Sequence, residues 1–506
     1  MSKLEQTTNT VTAEQSAVIS ASAECGSKEC GLKECGSKER KSAERGPVDP
    51  IPANRAPSQG GNAENPMLTG VIWQQLLIFF VPLLAGTFFQ MLYNTVDAVI
   101  VGRFVGKLAL SAVGGATATL INLFVGLFVS ITSGVTVVVS QYYGAKREAE
   151  LQKAIHTGIS LAVLLGLVLT IVVFALAGPM LRAMNTPEET LAQSEVYLRI
   201  YACGMIGNML YNTGASILRA VGDSRRPFLY LVIGTVSNII LDLFFIIVLH
   251  LGVAGAALAT ILSQYASAVG AFLFLLRTDS VVRVFPGKLH LDAFFAWKIL
   301  QIGIPAAFRS LMYSFSNVLI QTSINGFGTD TVAAWTVWGK VDAVFWMIIN
   351  SLGIATTTVV GQNYGAGRKD RVRKCARQAL AITALFNVVL CAVILLGRSF
   401  FVRIFTSDPD VIRQSIEIAE FMAPVFITYI AIEIFSGVLQ GMGDALIPTI
   451  ITILGVCVIR IVWIYTFVPA HHSMKSVMAS YPISWTISSI AFFIYYEWYV
   501  QRHRIR

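Results

Sequence analysis

From residue 71 to residue 500 the chain alternates between long apolar stretches and short polar breaks. A helix needs about 20 such residues to cross a bilayer. Twelve stretches qualify, over 71–101, 112–143, 152–178, 190–218, 226–250, 253–277, 294–323, 332–363, 374–400, 411–441, 446–469 and 475–500. Each is expected to be a helix, because backbone groups in lipid must find partners within their own segment. Residues 1–66 break the pattern: they are polar, rich in Ser, Glu, Lys and Ala, and lack apolar periodicity. The pattern therefore predicts an all-α integral membrane protein behind a disordered cytosolic tail.

The polar marks at the ends of these stretches recur after about 221 residues. Ser140-Gln141-Tyr142-Tyr143-Gly144-Ala145-Lys146-Arg147 returns as Gly361-Gln362-Asn363-Tyr364-Gly365-Ala366-Gly367-Arg368, and Gly222-Asp223 with Pro227 returns as Gly443-Asp444 with Pro448. Gln193-Ser194 answers to Gln414-Ser415, and Arg182 to Arg403. The spacing holds without a gap, which unrelated apolar helices would not give. It predicts two homologous six-helix bundles around a central cavity, an N-terminal lobe over 67–281 and a C-terminal lobe over 282–506. A polar joint over 279–291, containing Pro286-Gly287, leaves them free to move against each other. Duplicated membrane bodies of this kind carry a substrate path between their halves.

Composition agrees: 55% of residues are hydrophobic and only 13% charged. The net charge of +9 raises the question of nucleic acid, but its placement answers it. One alternate set of loops holds Lys146, Arg147 and Lys153, then Arg219, Arg225 and Arg226, then Arg277, Arg283 and Lys288, then Arg368, Lys369, Arg371, Arg373, Lys374 and Arg377. The tail Arg502, Arg504 and Arg506 joins them, and the other loops are poorer. Basic loops face the cytoplasm, so both termini are expected there. Seven cysteines do not make a disulfide scaffold. Cys203, Cys375, Cys391 and Cys457 fall in or beside helices, where they pack as small apolar residues. Cys25, Cys30 and Cys35 belong to a low-complexity repeat without CxxC spacing or a nearby histidine, so reduced thiols are expected. No long apolar run precedes residue 71, hence no cleavable signal is expected, and Met67 is an alternative start.

Candidate chemistry sits inside the apolar segments. Asp97 lies late in the first, fifteen residues after Pro82, which removes a backbone hydrogen bond and makes that helix bendable. A carboxylate there costs about 2.5–3.5 kcal/mol to insert, so it calls for a function. In the fifth segment, Asn238 and Asp242 are four apart and share one helical face. Thr260 follows on the sixth. Two carboxylates, an amide oxygen and a hydroxyl suit a hard cation such as Na⁺. The same carboxylates can instead share a proton.

The second half differs. Asp97 and Asp242 have no acidic counterparts there; Asn317, Gln321 and Trp463 stand around the matching positions. Arg309, Lys340, Asp342, Glu433 and Arg460 instead fall inside apolar segments, where they are expected to pair as a structural network or to meet substrate or protons. Trp335, Trp338 and Trp346 share a helix with two of them and offer faces to a lipophilic cation, or simply core packing. There is no GxxxxGK[ST] loop for ATP, no HExxH, and no nucleophile paired with a base in the loops. No cofactor is expected beyond a coupling ion, Na⁺ or H⁺.

Together these features resemble the multidrug and toxic compound extrusion (MATE) family, within the larger superfamily that also holds lipid flippases. The resemblance covers about residues 70–500. It rests on Pro82 with Asn94-x-x-Asp97 and Gly102-Arg103, and on Gln141-Tyr142-Tyr143-Gly144-Ala145. Asn238-x-x-x-Asp242 with Gly252-Val253-x-Gly255-Ala256-Ala257, Gly361-Gln362-Asn363-Tyr364-Gly365 and Gly441-x-Gly443-Asp444 complete it. It implies twelve helices in two lobes and antiport of cationic drugs against Na⁺ or H⁺ in a bacterial plasma membrane. Asp97, Asn238, Asp242 and Thr260 match the first-lobe ion site of the DinF-like prokaryotic branch, and that family's first-helix bend falls on Pro82. Branches that use acids in helices seven and ten find no clean match: helix seven carries Arg309 and no acid, and Glu433 does not align securely.

The leading expectation is thus an ion-coupled exporter of drug-like, lipophilic and cationic compounds, working as a monomer in the bilayer, with no nucleic-acid partner. A second is a flippase for a lipid-linked or anionic precursor, using the Arg/Lys cluster for its phosphates. A third, an intramembrane lipid-modifying enzyme, needs paired acids on cytosolic loops such as DDxxD, and none occurs.

Overall fold

Twelve helical rods follow one another through the computed structural model, which describes residues 65–503. The tail cysteines Cys25, Cys30 and Cys35, and Arg504 and Arg506, lie outside the described residues. The rods are α1 (Ile72–Val105), α2 (Lys107–Gly144), α3 (Glu148–Ala183), α4 (Glu188–Cys203 continued by Met205–Ala220), α5 (Arg225–Val248) and α6 (Gly252–Arg277). The second set is α7 (Ala293–Asn325), α8 (Thr329–Gly365), α9 (Lys369–Arg403), α10 (Pro409–Gly441), α11 (Leu446–His471) and α12 (Met474–Arg502). Ten are long and apolar enough to cross a membrane. The other two are α4, interrupted at Gly204, and α7, whose second half is rich in Ser, Asn and Gln. No strand occurs among the described residues.

Sequence chemistry sets the local boundaries. Asp292 and Asp408 cap α7 and α10, each carboxylate accepting from two backbone N–H groups that the first turn leaves free. Gly222 and Gly443, equivalent in the repeat, take φ of 96° and 98° to end α4 and α10, a conformation that penalises any residue with a Cβ. Three single π-helical stretches interrupt the rods, Val101–Val105, Phe244–Val248 and Ile453–Val458. The first two begin just after Asp97 and just after Asp242, the third ends just before Arg460, and π turns tend to gather at functional positions. Pro82 sits inside an unbroken helix, Ile72–Ile100.

The hydrophobic core does not divide cleanly at the joint. Ile72, Leu76, Phe79 and Phe80, from the start of α1, pack among Trp338, Phe345 and Tyr364 of α8. Reciprocally, Phe295, Ile299 and Ile302, from the start of α7, pack among Val135 and Ile155 of α2 and α3. Each half therefore lends the first turns of its first helix to the other.

At the end where α2 and α8 finish, the halves close on each other. Gln141 donates Nε2–H to the Gly441 carbonyl at 2.9 Å, and Gln362 donates to the Ala220 carbonyl at 2.7 Å. These two bonds are equivalent under the sequence repeat. Gly144 lies against the backbone of Gln362 and Gly365 against that of Gln141, so closely that a Cβ at either would collide with main chain. The single-turn helix Pro66–Thr69 straps this end, with Asn65 donating to Gln362 Oε1 at 2.9 Å and Arg371 donating to the Gly70 carbonyl at 2.7 Å. At the opposite end the rods part around a cleft between α1, α2 and α8.

Candidate functional site

Three helices of the first half bring the predicted oxygen ligands together. The end of α1 supplies Asp97, α5 supplies Asn238 and Asp242 one turn apart, and α6 supplies Thr260. All four are buried: Asp97 is 8% exposed, Thr260 3%, Asn238 and Asp242 0%. The two carboxyls lie within interaction range of each other, and Asn238 within range of Asp242. Asp97 Oδ1, both oxygens of Asp242 and both polar atoms of the Asn238 amide have no hydrogen-bond partner of ordinary geometry in the protein. No ion pair reaches either acid among the described residues. Unpaired buried carboxylates are costly, so the arrangement suits a positive species that neutralises them.

The donors present select among cations. Every ligand atom is an oxygen, and no group of three or more His, Cys, Asp or Glu able to hold a metal occurs among the described residues. A transition metal, which prefers nitrogen or sulfur donors, is poorly served; the set suits a hard cation or a shared proton.

A second ring of residues encloses the acids, and it was not singled out from sequence. Tyr93, one turn before Asp97, donates its hydroxyl to Thr260 Oγ1 at 3.4 Å, while Thr260 donates to the Ala256 carbonyl at 3.0 Å. Tyr197 and Tyr201, one turn apart on α4, stack with centroids 6.4 Å apart, Tyr197 within interaction range of Asp97. Gln264 of α6 donates to the Tyr201 hydroxyl at 3.3 Å. Their only signal in the sequence was spacing of four.

The five charged residues of the second half do not assemble into one cluster. No pair among them approaches within 4.0 Å. Arg309 donates to Ser436 Oγ and lies within range of Glu433, whose carboxylate accepts from the Tyr429 hydroxyl at 3.4 Å. Asp342 accepts from Trp346 Nε1 at 3.3 Å. Arg460, 1% exposed, lies 4.1 Å from the centroid of the Tyr481 ring and donates to Ser484 Oγ at 3.4 Å. Lys340 stands apart, exposed in the cleft. Trp338 is 2% exposed and stacks on Phe426 with centroids 5.7 Å apart, facing the core.

The sequence matches the family described as MatE over residues 82–244 and 305–466. Similar proteins include "Probable multidrug resistance protein YoeA" of Bacillus subtilis (strain 168), 27% identical, over 86% of this chain and 95% of that protein. "Multidrug export protein MepA" of Staphylococcus aureus (strain MSSA476) is 24% identical over 78% and 87%. Among solved structures, one described as the outward-facing conformation of a multidrug resistance MATE family transporter of the MOP superfamily superposes with a TM-score of 0.82. It is 23% identical and covers 88% of this chain and all of its own.

Proposed function

The chain belongs to the MatE family of membrane transporters, and on that premise we propose that it is a secondary active exporter, expelling drug-like organic compounds in exchange for Na⁺ or H⁺. The observation that carries this reading is the buried pair Asp97 and Asp242, within range of each other, flanked by Asn238 and Thr260 and, among the described residues, ion-paired with no cationic side chain. Relatives named for multidrug resistance and export support the kind of cargo.

Geometry suggests how the two flows are coupled. On α1, Tyr93 and Asp97 face the interior of the first lobe, whereas Asn94, Thr95 and Ala98 line the cleft. One helix thus forms the wall between ion site and substrate path. Occupancy of Asp97 changes the electrostatics of that wall, and Pro82, which leaves the Ile78 carbonyl without its helical donor, supplies a place to bend. In the alternate state the bonds of Gln141 and Gln362 break, the sealed end opens and the cleft closes. With the basic loops in the cytoplasm, the sealed end faces inward. One positive charge entering through 100 mV releases about 2.3 kcal/mol, enough to concentrate a substrate by more than an order of magnitude. A single chain holds both lobes, so a monomer suffices.

Efflux from everted membrane vesicles tests this reading. Replacing a Na⁺ gradient by a pH gradient identifies the ion. Asp97→Asn and Asp242→Asn are expected to reduce gradient-driven efflux to background while the protein remains folded in the membrane. Full activity in both variants refutes the proposal.

A further inference from the structure

The cleft between the lobes carries charge of one sign. Its volume is about 660 Å³, enough for a drug-sized molecule, and its ionisable lining residues are Arg103 and Lys107 from one lobe and Lys340 from the other. All three are exposed, and none lies within 4.0 Å of a carboxylate among the described residues. Lys340 is eleven residues into α8 from Thr329, about 16 Å along the helix. An ammonium at that depth persists only where it meets water or a negative group.

Nearby acids and aromatic rings face elsewhere. Asp97 is not among the residues that line the cleft; it is buried and lies within range of Asp242 inside the first lobe. Asp342 is two positions beyond Lys340, so it projects to the opposite side of α8, where it accepts from Trp346. Among the described residues, no Phe, Tyr or Trp lines the cleft. Trp338 stacks on Phe426, and Trp346 packs against Tyr429 and Trp485, so both of these tryptophans are turned into the second lobe and away from Lys340. A concave surface of this polarity repels cations and concentrates anions.

We infer that the substrate is an amphipathic organic anion, a carboxylate or sulfonate on an apolar body. Its charged end docks between Lys340 and the Arg103–Lys107 pair, and its apolar part lies along Met91, Ala98 and Leu110. This replaces the cationic cargo expected from the sequence, and its consequences for transport rest on the exporter reading. Exchange of one monovalent cation entering for one monoanion leaving moves two charge equivalents in the same direction. Exchange for a monocation moves none. An inside-negative potential therefore accelerates export of the anion and leaves that of a monocation unchanged.

The test uses the full chain, purified and then reconstituted, with carboxyfluorescein as the anionic probe and ethidium as the cationic one. Fluorescence anisotropy of the purified protein is expected to show carboxyfluorescein bound at least ten-fold more tightly than ethidium. Lys340→Ala should remove most of that preference, and Lys340→Glu should reverse it. Equal binding of the two dyes, no binding of carboxyfluorescein, or a preference indifferent to Lys340→Glu overturns the inference. Transport separates it from the exporter reading. If carboxyfluorescein binds through Lys340 yet no ion gradient moves it, the site stands and the exporter reading fails. If gradients move ethidium alone, the reverse holds.

Discussion

Asp444 illustrates what ionisation costs at the sealed end. It is 6% exposed, between α10 and α11, where its first-lobe counterpart Asp223 pairs with Arg226. Among the described residues Asp444 has no such ion pair. Burial pushes its carboxyl above the ordinary value, and the Tyr495 hydroxyl and neighbouring backbone N–H groups pull it only part of the way back. A carboxyl raised in the folded state binds its proton more tightly there than in the unfolded chain. Its stabilisation is full below the unfolded value of about 4 and is lost as pH rises through the folded one. Asp444→Asn cannot ionise, so its melting temperature should gain on wild type steadily from about pH 4 upward. A difference independent of pH contradicts this. Asp97, Asn238 and Asp242 were legible in the sequence because polar groups in apolar helices have few structural uses. Tyr93, Tyr197 and Tyr201 were not, since aromatic residues spaced by four look like any helix-packing face.

At the scale of the elements, the two glutamines that mark the repeat bond reciprocally across the sealed end, and the proposed alternation makes them latches. Each contributes one buried side chain to backbone hydrogen bond across the seal, worth about 1 kcal/mol net. Replacing both, Gln141→Ala with Gln362→Ala, should therefore shift the open-to-closed ratio of this end by more than ten-fold. Distances between spin labels at positions 153 and 374 report the shift, because Lys153 and Lys374 are exposed on the two sides of the seal. An unchanged distance distribution contradicts the latch. The repeat itself was plain in the sequence, but its use was not. Local pattern shows that two segments are alike, and only the fold shows that they meet. The π turns beside Asp97, Asp242 and Arg460 left no mark either, because segments that are apolar on most faces carry no polar stripe whose shift of phase would reveal one added residue.

For the whole molecule, ten of the twelve helices stand out by apolar length, since a bilayer allows little else, whereas α4 and α7 fall short of that measure and show mainly through the repeat. The exchange of first turns between α1 and α7 did not follow, because interhelical packing in membranes carries no comparable signature. The five scattered charges of the second half have the same explanation: proximity across helices is not encoded in spacing along one. A cysteine placed at Lys374 should react with an impermeant maleimide only when the reagent reaches the cytoplasmic face, and labelling from outside intact cells contradicts the assignment. The most direct trial of the mechanism records cation entry and dye exit together, in proteoliposomes holding wild type, Asp97→Asn or Asp242→Asn. Wild type should take up Na⁺ or protons in proportion to the dye expelled, and both flows should vanish in either variant. Cation-linked efflux persisting without one of these carboxylates would mean that the ion passes somewhere else.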